Sequence, residues 1–468
     1  MLRVFKIEKW TKYVYLIIFV ALFLFKPSFE STIDNSKLII YVSFFFIASF
    51  IHLISQKGEN WFRLDVLFLL GFAIVHFQWA IMIAFSNIEP DRFTFVLADS
   101  HYMNYGVWLS SIGIVSWLFG YSFFKTNAMN TEIIYHFNYT KLFWFTTGLF
   151  GLFILMAGSN YLSGGIYKGE GGSEAGAGIS VYFRLLFSIS ILLLTAFVIL
   201  NNVNFFKSSH FGFLLRIDKK YLILFALTIL LFLGVGDRGG ALQPVMAFLI
   251  IYGTLIRPIK LKEFILLVAA GALIMTLIGE GRSSGESENI LVAGASKIDI
   301  TSAYDLTSEL ARSVRALNKS LSDVPAYHDY FLGKLWLSDF LAVIPLGQNI
   351  YMQLSDASIY ETASSKYLTY LMRGIYSNYG EGTTLIADIY LNFGLLGVIS
   401  FMFFLGLFFK KIVNELNLQR NYYWTIAAVI LASLAFYMGR DTLFHSFRPI
   451  LWGVFLSYLL VSQEKEIE

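Results

Sequence analysis

Long apolar stretches recur along the chain from residue 13 to residue 462, with short polar segments between them. A helix needs roughly 17–25 mostly apolar residues to cross the hydrocarbon core of a bilayer. This pattern predicts an all-α polytopic transmembrane helix bundle of about 12 spans. The predicted spans are 13–25, 38–54, 64–85, 105–124, 142–158, 181–200, 221–235, 241–256, 263–279, 384–409, 423–438 and 449–462.

Lys and Arg are unevenly distributed between alternate loops, which indicates the orientation of the spans. One set of loops holds 19 of these residues and the opposite short loops hold 8. Because cytoplasmic loops retain positive charge, both termini are expected to be cytoplasmic. The chain then divides into spans 1–9 (1–279), a long extracytoplasmic loop with short interfacial helices (280–383), and spans 10–12 with a cytoplasmic C-terminus (384–468).

Composition excludes several classes of protein. The chain has 468 residues, of which 57% are hydrophobic and 14% charged, whereas soluble domains carry about 25% charged residues. The net charge of +3 is spread over loops and gives no basic face, so we expect no nucleic-acid partner. The absence of cysteine excludes disulfides and thiolate metal sites.

Arg238 lies in a glycine-rich turn, Val-Gly-Asp-Arg-Gly-Gly-Ala, between the seventh and eighth predicted spans. Glycine allows backbone amides to approach an anion, and a guanidinium offers several donors to phosphate oxygens. This pattern favours an anion-binding role for Arg238, with Asp237 beside it as a candidate base. The alternative is an arginine that snorkels at a helix end and pairs with Asp237.

A second cationic cluster follows the eleventh span, where Arg440, His445 and Arg448 lie within nine residues. Arg440 and Arg448 are candidate ligands of the same anionic substrate. In the alternative interpretation Arg440 simply pairs with Asp441, and His445 occupies an interface position.

The loop before the tenth span holds Arg373, Tyr376 and Glu381 in a Gly- and Tyr-rich segment. Tyrosine offers both a stacking surface and a hydroxyl, as a sugar site requires, although an aromatic belt explains tyrosines here equally well. Arg282 is a further candidate for substrate binding and His328 a further candidate base. Either is also compatible with a solvated charge in the long loop.

Sequence signatures of several other chemistries are missing from the chain. There is no zinc-protease H-E-x-x-H, no G-x-S-x-G and no phosphate loop of the G-x-x-x-x-G-K type. Glu89 and Asp91 have the spacing of a metal pair, but they flank Pro90 in an ordinary turn. We therefore predict no metal site, no cofactor and no use of nucleotide sugars.

Three stretches together resemble the Wzy-type O-antigen polymerase family of oligosaccharide repeat-unit polymerases. They are Gly-Asp-Arg-Gly at 236–239, the segment 382–397 with its Asp-Ile-Tyr-Leu-Asn-Phe-Gly core, and Gly-Arg-Asp at 439–441. The predicted topology, with one long outer loop before the last three spans, also resembles that family.

The resemblance implies a multi-pass protein of the bacterial cytoplasmic membrane. Its implied reaction transfers a growing glycan from undecaprenyl diphosphate to the sugar of another lipid-linked repeat unit. The expected partners are undecaprenyl-diphosphate-linked oligosaccharides, membrane lipid, and flippase and chain-length regulator proteins. The base that activates the acceptor hydroxyl is left open among Glu381, Asp237 and His328.

There are two rival hypotheses, a related ligase that uses similar parts and a transporter of a different class. An O-antigen ligase-like transferase would move the finished glycan to a different acceptor. A transporter or flippase of lipid-linked sugars would only move its substrate, but such proteins place ionisable groups near the bilayer midplane. Here the predicted spans hold chiefly His52 and His76, and arginines concentrate in the outer loops. That distribution favours an enzyme.

Overall fold

The computed structural model describes residues 2–56, 58–86, 99–123, 138–162, 179–201, 210–283, 305–355, 358–375, 377, 380–418 and 422–460. Regular structure in these residues is helical. The first ten helices are α1 Leu2–Leu24, α2 Asn35–Ser55, α3 Leu64–Ser86, α4 Met103–Tyr121, α5 Tyr139–Leu162, α6 Ile179–Leu200, α7 His210–Arg216, α8 Lys219–Val235, α9 Arg238–Leu255 and α10 Leu261–Ser283. The remaining ones are α11 Ser308–Ala311, α12 Val314–Asp323, α13 Leu337–Leu341, α14 Gly347–Ser355, α15 Ser364–Arg373, α16 Leu385–Leu418, α17 Tyr422–Leu434 and α18 Phe447–Leu460.

Each predicted span falls on one of these helices. Six stretches are long and apolar enough to cross a bilayer: Asn35–Ser55, Leu64–Phe85, Tyr139–Gly158, Ser180–Leu200, Leu261–Gly279 and Leu385–Asn417. Shorter apolar helical stretches are Trp10–Leu24, Tyr423–Leu434 and Phe447–Leu460. The predicted membrane helix bundle is therefore confirmed, whereas the count of about 12 crossings and their orientation stay predictions.

Two helices, α4 and α16, form the centre of the bundle and approach each other closely. A Cβ atom at Gly113 would lie 2.7 Å from Ile386 Cδ1, and one at Gly120 would overlap the carbonyl of Phe403. Gly406 faces the carbonyl of Trp117 in the same way. Without a hydrophobic driving force between helices in lipid, such close contact of backbones is what stabilises a pair of spans.

A break in α16 attaches the long loop to the bundle. Gly394 has φ +62°, a conformation that favours glycine, and the helix is interrupted there. Just before the break, the carbonyls of Leu391 and Asn392 accept hydrogen bonds from the N–H groups of Phe331 and Leu332, both at 3.0 Å. The segment 382–397 thus provides a docking point for the loop.

The hairpin of α8 and α9 turns on only two residues. Gly236, in the left-handed conformation at φ +84°, ends α8, where its N–H and that of Asp237 bond to the carbonyls of Leu233 and Phe232. Asp237 then caps α9 by accepting the N–H of Gly240 at 3.1 Å. The connection is shorter than the five residues between the predicted spans 221–235 and 241–256, because Gly236 ends the first helix and Asp237 caps the second.

The long loop packs against one end of the bundle, which we call the loop end. The short 3-10 helix Asp305–Thr307 is attached to α3 by a hydrogen bond from Thr307 Oγ1 to Gln78 Oε1 at 2.7 Å, and to α10 by one from Thr276 Oγ1 to the carbonyl of Leu306 at 3.1 Å. This contact places α11, which follows directly, over the ends of α3, α9 and α10.

Candidate functional site

A cavity of about 670 Å³ lies among α3, α8, α9, α10 and α17, below α11. Most of its wall is apolar, formed by residues such as Leu242 and Leu249 of α9 and Leu267 of α10. Its charged residues and His445 gather at the loop end with Thr307 and Ser308: Asp237, Arg238, Glu309, Arg440, Asp441 and His445. The cavity is thus a long apolar space with a charged end.

Arg238 is the first helical residue of α9 and projects into this charged end. Its Nη1 is paired with Oε2 of Glu309, which α11 carries in from the loop. Its Nε and Nη2 are buried and have no hydrogen-bond partner among the described residues. Gly279 of α10 leaves room for the guanidinium, since a Cβ there would lie 2.6 Å from Nη2. Arg238 therefore keeps unsatisfied donors beside the cavity.

Arg440 reaches the same cavity from a distant part of the chain. It ends the 3-10 helix Met438–Arg440, and Gly439 lets this turn approach α3 so closely that a Cβ would lie 3.1 Å from Phe72 Cα. Within the described ranges the Arg440 side chain makes no ion pair. Asp441, its expected partner in the alternative interpretation, is 3.3 Å from His445 instead. The structure thus brings the two sequence-predicted arginines to one site.

Asp388 holds the turn that carries Arg440. This fully buried carboxylate at the start of α16 accepts two hydrogen bonds on Oδ2, from the N–H of Leu443 at 2.9 Å and from Nε1 of Trp336 at 2.8 Å. Thr442 Oγ1 adds a bond of 2.7 Å to Oδ2 of Asp339 on α13. The loop, α16 and the turn are thereby fixed relative to one another.

Asp237 lines the cavity, but both of its oxygens are already bonded. Oδ1 caps α9, and Oδ2 is paired with Arg184 Nη2 and accepts the hydroxyl of Tyr161 at 3.2 Å. The carboxylate is thus held by a guanidinium, a phenol and the N-terminus of α9, and neither oxygen is left to take up a substrate proton. These contacts suit a structural role that fixes where α9 begins and where Arg238 points.

Glu381 and Arg373 belong to a different cluster that does not line the cavity. The Glu381 side chain has no exposed surface, and its two oxygens are paired with Arg315 of α12 and Arg373 of α15. Its backbone N–H donates to Thr369 Oγ1 at 2.9 Å. The geometry therefore joins three segments of the loop and leaves neither carboxylate oxygen available to a substrate.

Two further predicted site residues, His328 and Arg448, do not line the cavity. The His328 ring stacks on Phe331 with centroids 4.2 Å apart, and Arg448 lies over the ring of Tyr182 at 5.4 Å. Tyr376 and the side chain of Arg282 lie outside the described residues. The pair Glu89 and Asp91 lies outside them too.

Sequence reasoning missed two residues that shape the charged end, Glu309 and Asp388. Glu309 lies in the long loop, where short interfacial helices were predicted, and it belongs to α11, which Arg312 and Ser313 separate from α12. Nothing in the sequence of this segment indicates an ion pair with Arg238. Asp388 had a signal, because a carboxylate at the start of an apolar span requires a partner. In the part of the chain that the structure describes, no group of three or more His, Asp and Glu side chains is placed to hold a metal ion.

The described residues form apolar helices around an apolar cavity whose loop end holds two arginines, and the apolar helices define the class as an integral membrane protein. The sequence model of the O-antigen polysaccharide polymerase Wzy family matches residues 13–465, nearly the whole chain, and the chain belongs to that family. Membership makes it a glycosyltransferase-type polymerase of polysaccharide biosynthesis and confirms the resemblance seen in the sequence. No curated protein and no solved structure matches the chain significantly.

Proposed function

We propose that this protein polymerises lipid-linked oligosaccharide repeat units at the extracytoplasmic face of the bacterial cytoplasmic membrane. A growing glycan is transferred from undecaprenyl diphosphate to the sugar of another lipid-linked unit, and undecaprenyl diphosphate leaves. The observation that carries this proposal is the meeting of Arg238 and Arg440 at one end of an apolar cavity.

The charged end suits a diphosphate leaving group. Such a group needs no proton acid, because it departs with the bonding electrons as a stable anion whose charge arginines can stabilise. Arg440 has no ion pair within the described ranges, and Arg238 has two buried donors without a partner there. Glu309 shows that an oxyanion can occupy this position, since its carboxylate is paired with Arg238.

The apolar part of the cavity suits a polyprenyl chain. From Arg238 to Leu249 the wall follows α9 over eleven residue-to-residue steps, which corresponds to roughly 16 Å of helix. The opposite wall, α10, is peripheral: Leu267 and Val268 face the cavity, while Ile265 and Leu266 are exposed. A lipid tail therefore has an apolar route between this helix and the surrounding bilayer.

The donor in this reaction brings its own leaving group, so neither a nucleotide sugar nor a metal ion has to activate it. We propose that turnover is independent of both. The two arginines, rather than a divalent cation, balance the charge of the diphosphate.

The test reconstitutes purified protein with defined undecaprenyl-diphosphate-linked repeat units, in chelator, and follows glycan length on a gel. A ladder of products is expected from the wild type, and Arg238→Ala and Arg440→Ala are expected to lose it while remaining folded. Near-normal ladders from both alanine variants would contradict the site.

Other outcomes select other functions. A wild-type protein that makes no polymer, but moves a preformed glycan to a different acceptor, is a ligase. Loss of turnover in chelator, restored by magnesium or manganese, would contradict metal independence and direct attention to Glu89 and Asp91.

A further inference from the structure

The proposed transfer needs a group that takes the proton of the acceptor hydroxyl. Of the three candidates from the sequence, Glu381 and His328 do not line the cavity, and both oxygens of Asp237 are bonded to other groups. Glu309 lines the cavity but is paired with Arg238. These four residues do not provide a base at the cavity, which leaves the other polar groups at its charged end.

His445 lies at that end with Arg238, Arg440 and Asp441. Its side chain is half exposed, and its Nδ1 is 3.3 Å from Oδ1 of Asp441. Asp441 is itself fixed by the N–H of Thr442, which donates to Oδ1 at 2.9 Å. Among the described residues the Nε2 atom of His445 has no hydrogen-bond partner, so it is available at the mouth of the cavity.

A carboxylate beside Nδ1 favours the imidazole form that carries its proton on Nδ1 and a lone pair on Nε2. The geometry therefore pairs a base with the group that orients it. Arg440 is only five residues before His445, so one turn presents both the cation for the leaving group and the base for the nucleophile.

We propose that His445 is the general base of glycan transfer and that Asp441 is its positioning residue, an inference that rests on the proposed function. The acceptor hydroxyl oxygen forms the new bond to the anomeric carbon as its proton passes to Nε2 of His445. The bond from that carbon to the diphosphate oxygen breaks, and undecaprenyl diphosphate leaves with the electron pair. His445 then releases the proton to water.

The first experiment compares His445→Ala with the wild type in the reconstituted elongation assay. General base catalysis contributes about 10²–10⁴-fold, so the initial rate is expected to fall at least about 100-fold. Binding of the undecaprenyl-diphosphate-linked donor, measured separately, should be unchanged. Added imidazole should restore part of the rate, because a small base can enter the half-exposed site, whereas a merely structural histidine would not respond to it.

Two further variants make the result specific. His445→Asn keeps a donor for Asp441 but has no base, so it should remain folded, be as slow as the alanine variant and also respond to imidazole. His101→Ala is the matched control, since His101 is an exposed histidine at the loop end that does not line the cavity, and it should elongate at the wild-type rate.

The role of Asp441 is tested by Asp441→Asn. Loss of the carboxylate should lower kcat with little change in the KM for the donor, since the orientation of the imidazole changes but the arginines remain. If Asp441 acts through His445, adding Asp441→Asn to His445→Ala should not lower the elongation rate further, with or without imidazole. An equal further loss in both reactions would contradict action through His445.

The outcomes separate this inference from the function on which it rests. If the wild type elongates and both His445 variants elongate at the wild-type rate, the inference is wrong but the proposed function is not contradicted. An inactive His445→Asn that binds no donor, or that imidazole does not restore, assigns His445 to binding or structure and overturns the inference too. Absence of elongation by the wild-type protein overturns the proposed function and the inference together.

Discussion

Two groups of arginines lie at the same end of the bundle, and their acidic partners differ in burial. The cavity arginines are Arg238 and Arg440, and the Glu381 cluster consists of Arg315, Glu381 and Arg373. In the cluster the carboxylate has no exposed surface and a guanidinium on each oxygen. In the cavity the carboxylate that pairs with Arg238, that of Glu309, is 48% exposed, and Arg440 has no ion pair within the described ranges. The burial of the acidic partner distinguishes a structural cluster from one that is open to a ligand.

The physical reason is the cost of an uncompensated buried charge. Removing one member of a buried ion pair costs about 3–5 kcal/mol, because the remaining charge has lost both water and its partner. A half-exposed carboxylate can turn into solvent when a stronger anion arrives. The Glu381 cluster is therefore expected to govern folding, and the cavity arginines are expected to govern chemistry.

The largest effect on stability is expected from Glu381→Ala. This change removes the buried carboxylate that pairs with both Arg315 and Arg373, and we expect a loss of about 3–5 kcal/mol in the free energy of unfolding. Thermal unfolding of the detergent-solubilised protein measures it, with Glu309→Ala as the control that should melt like the wild type. A stable but inactive Glu381→Ala protein would make Glu381 a catalytic candidate again.

The second effect concerns rate rather than stability. Arg440→Ala should lower the elongation rate by about 10²–10³-fold, or roughly 3–4 kcal/mol, by analogy with loss of an oxyanion donor. Arg440→Lys should recover only part of this loss, because a point charge does not reproduce two-pronged recognition of phosphate oxygens. Initial rates in the reconstituted assay measure both, and full recovery by lysine would contradict recognition through the guanidinium fork.

A smaller effect is expected from crowding Arg238. In Gly279→Ala the new Cβ would lie 2.6 Å from Arg238 Nη2 and 3.0 Å from Glu309 Oε2, so the guanidinium must shift by several tenths of an ångström. We expect a lower elongation rate, with a smaller loss than in Arg440→Ala, and little change in the melting temperature, because the new Cβ meets the far ends of two flexible side chains. Gly234→Ala is the matched control, because a Cβ there meets nothing within 4 Å. Equal rates in the two variants would show that the position of Arg238 does not matter.

The smallest effect is expected at Asp339. Burial raises the pKa of this carboxyl above its ordinary value, and the neighbouring Asp441 raises it further. The hydroxyl of Thr442 and the nearby His445 act in the opposite direction. A carboxyl with a raised pKa in the folded state stabilises the protein at low pH, and this contribution is lost as pH rises above the unfolded pKa of about 3.9. Asp339→Asn still accepts the hydroxyl of Thr442, so activity should be nearly unchanged and the melting temperature should fall less steeply with rising pH. A large loss of activity would show that the charged carboxylate is required.

The sequence predicted the parts of this molecule that depend on local pattern. The apolar stretches matched the helices because hydrophobic length alone defines a membrane helix. Arg238 and Arg440 were singled out because charged residues within glycine-rich turns between apolar spans are costly and hence functional candidates. The sequence also indicated that Asp237 and Glu381 were chemically significant, but it could not indicate their partners.

The remaining features depend on contacts between distant segments. Arg184 neutralises Asp237 across 53 positions and Arg315 pairs with Glu381 across 66, so both carboxylates lose the freedom that a base needs. The docking of the loop on the broken helix at Gly394, and the attachment of Leu443 to Asp388, likewise join segments that no local pattern connects. Only the folded structure shows which polar residues meet.

The most direct test of the account is equilibrium binding of undecaprenyl diphosphate to the detergent-solubilised protein. The wild type should bind it, the Arg238→Ala/Arg440→Ala double variant should bind at least about tenfold more weakly, and Arg373→Lys should bind like the wild type because the Glu381 cluster is separate from the cavity. Undecaprenol, which lacks the diphosphate, should bind equally weakly to wild type and double variant. Unchanged affinity for the diphosphate in the double variant would contradict the assignment of the cavity arginines to the leaving group.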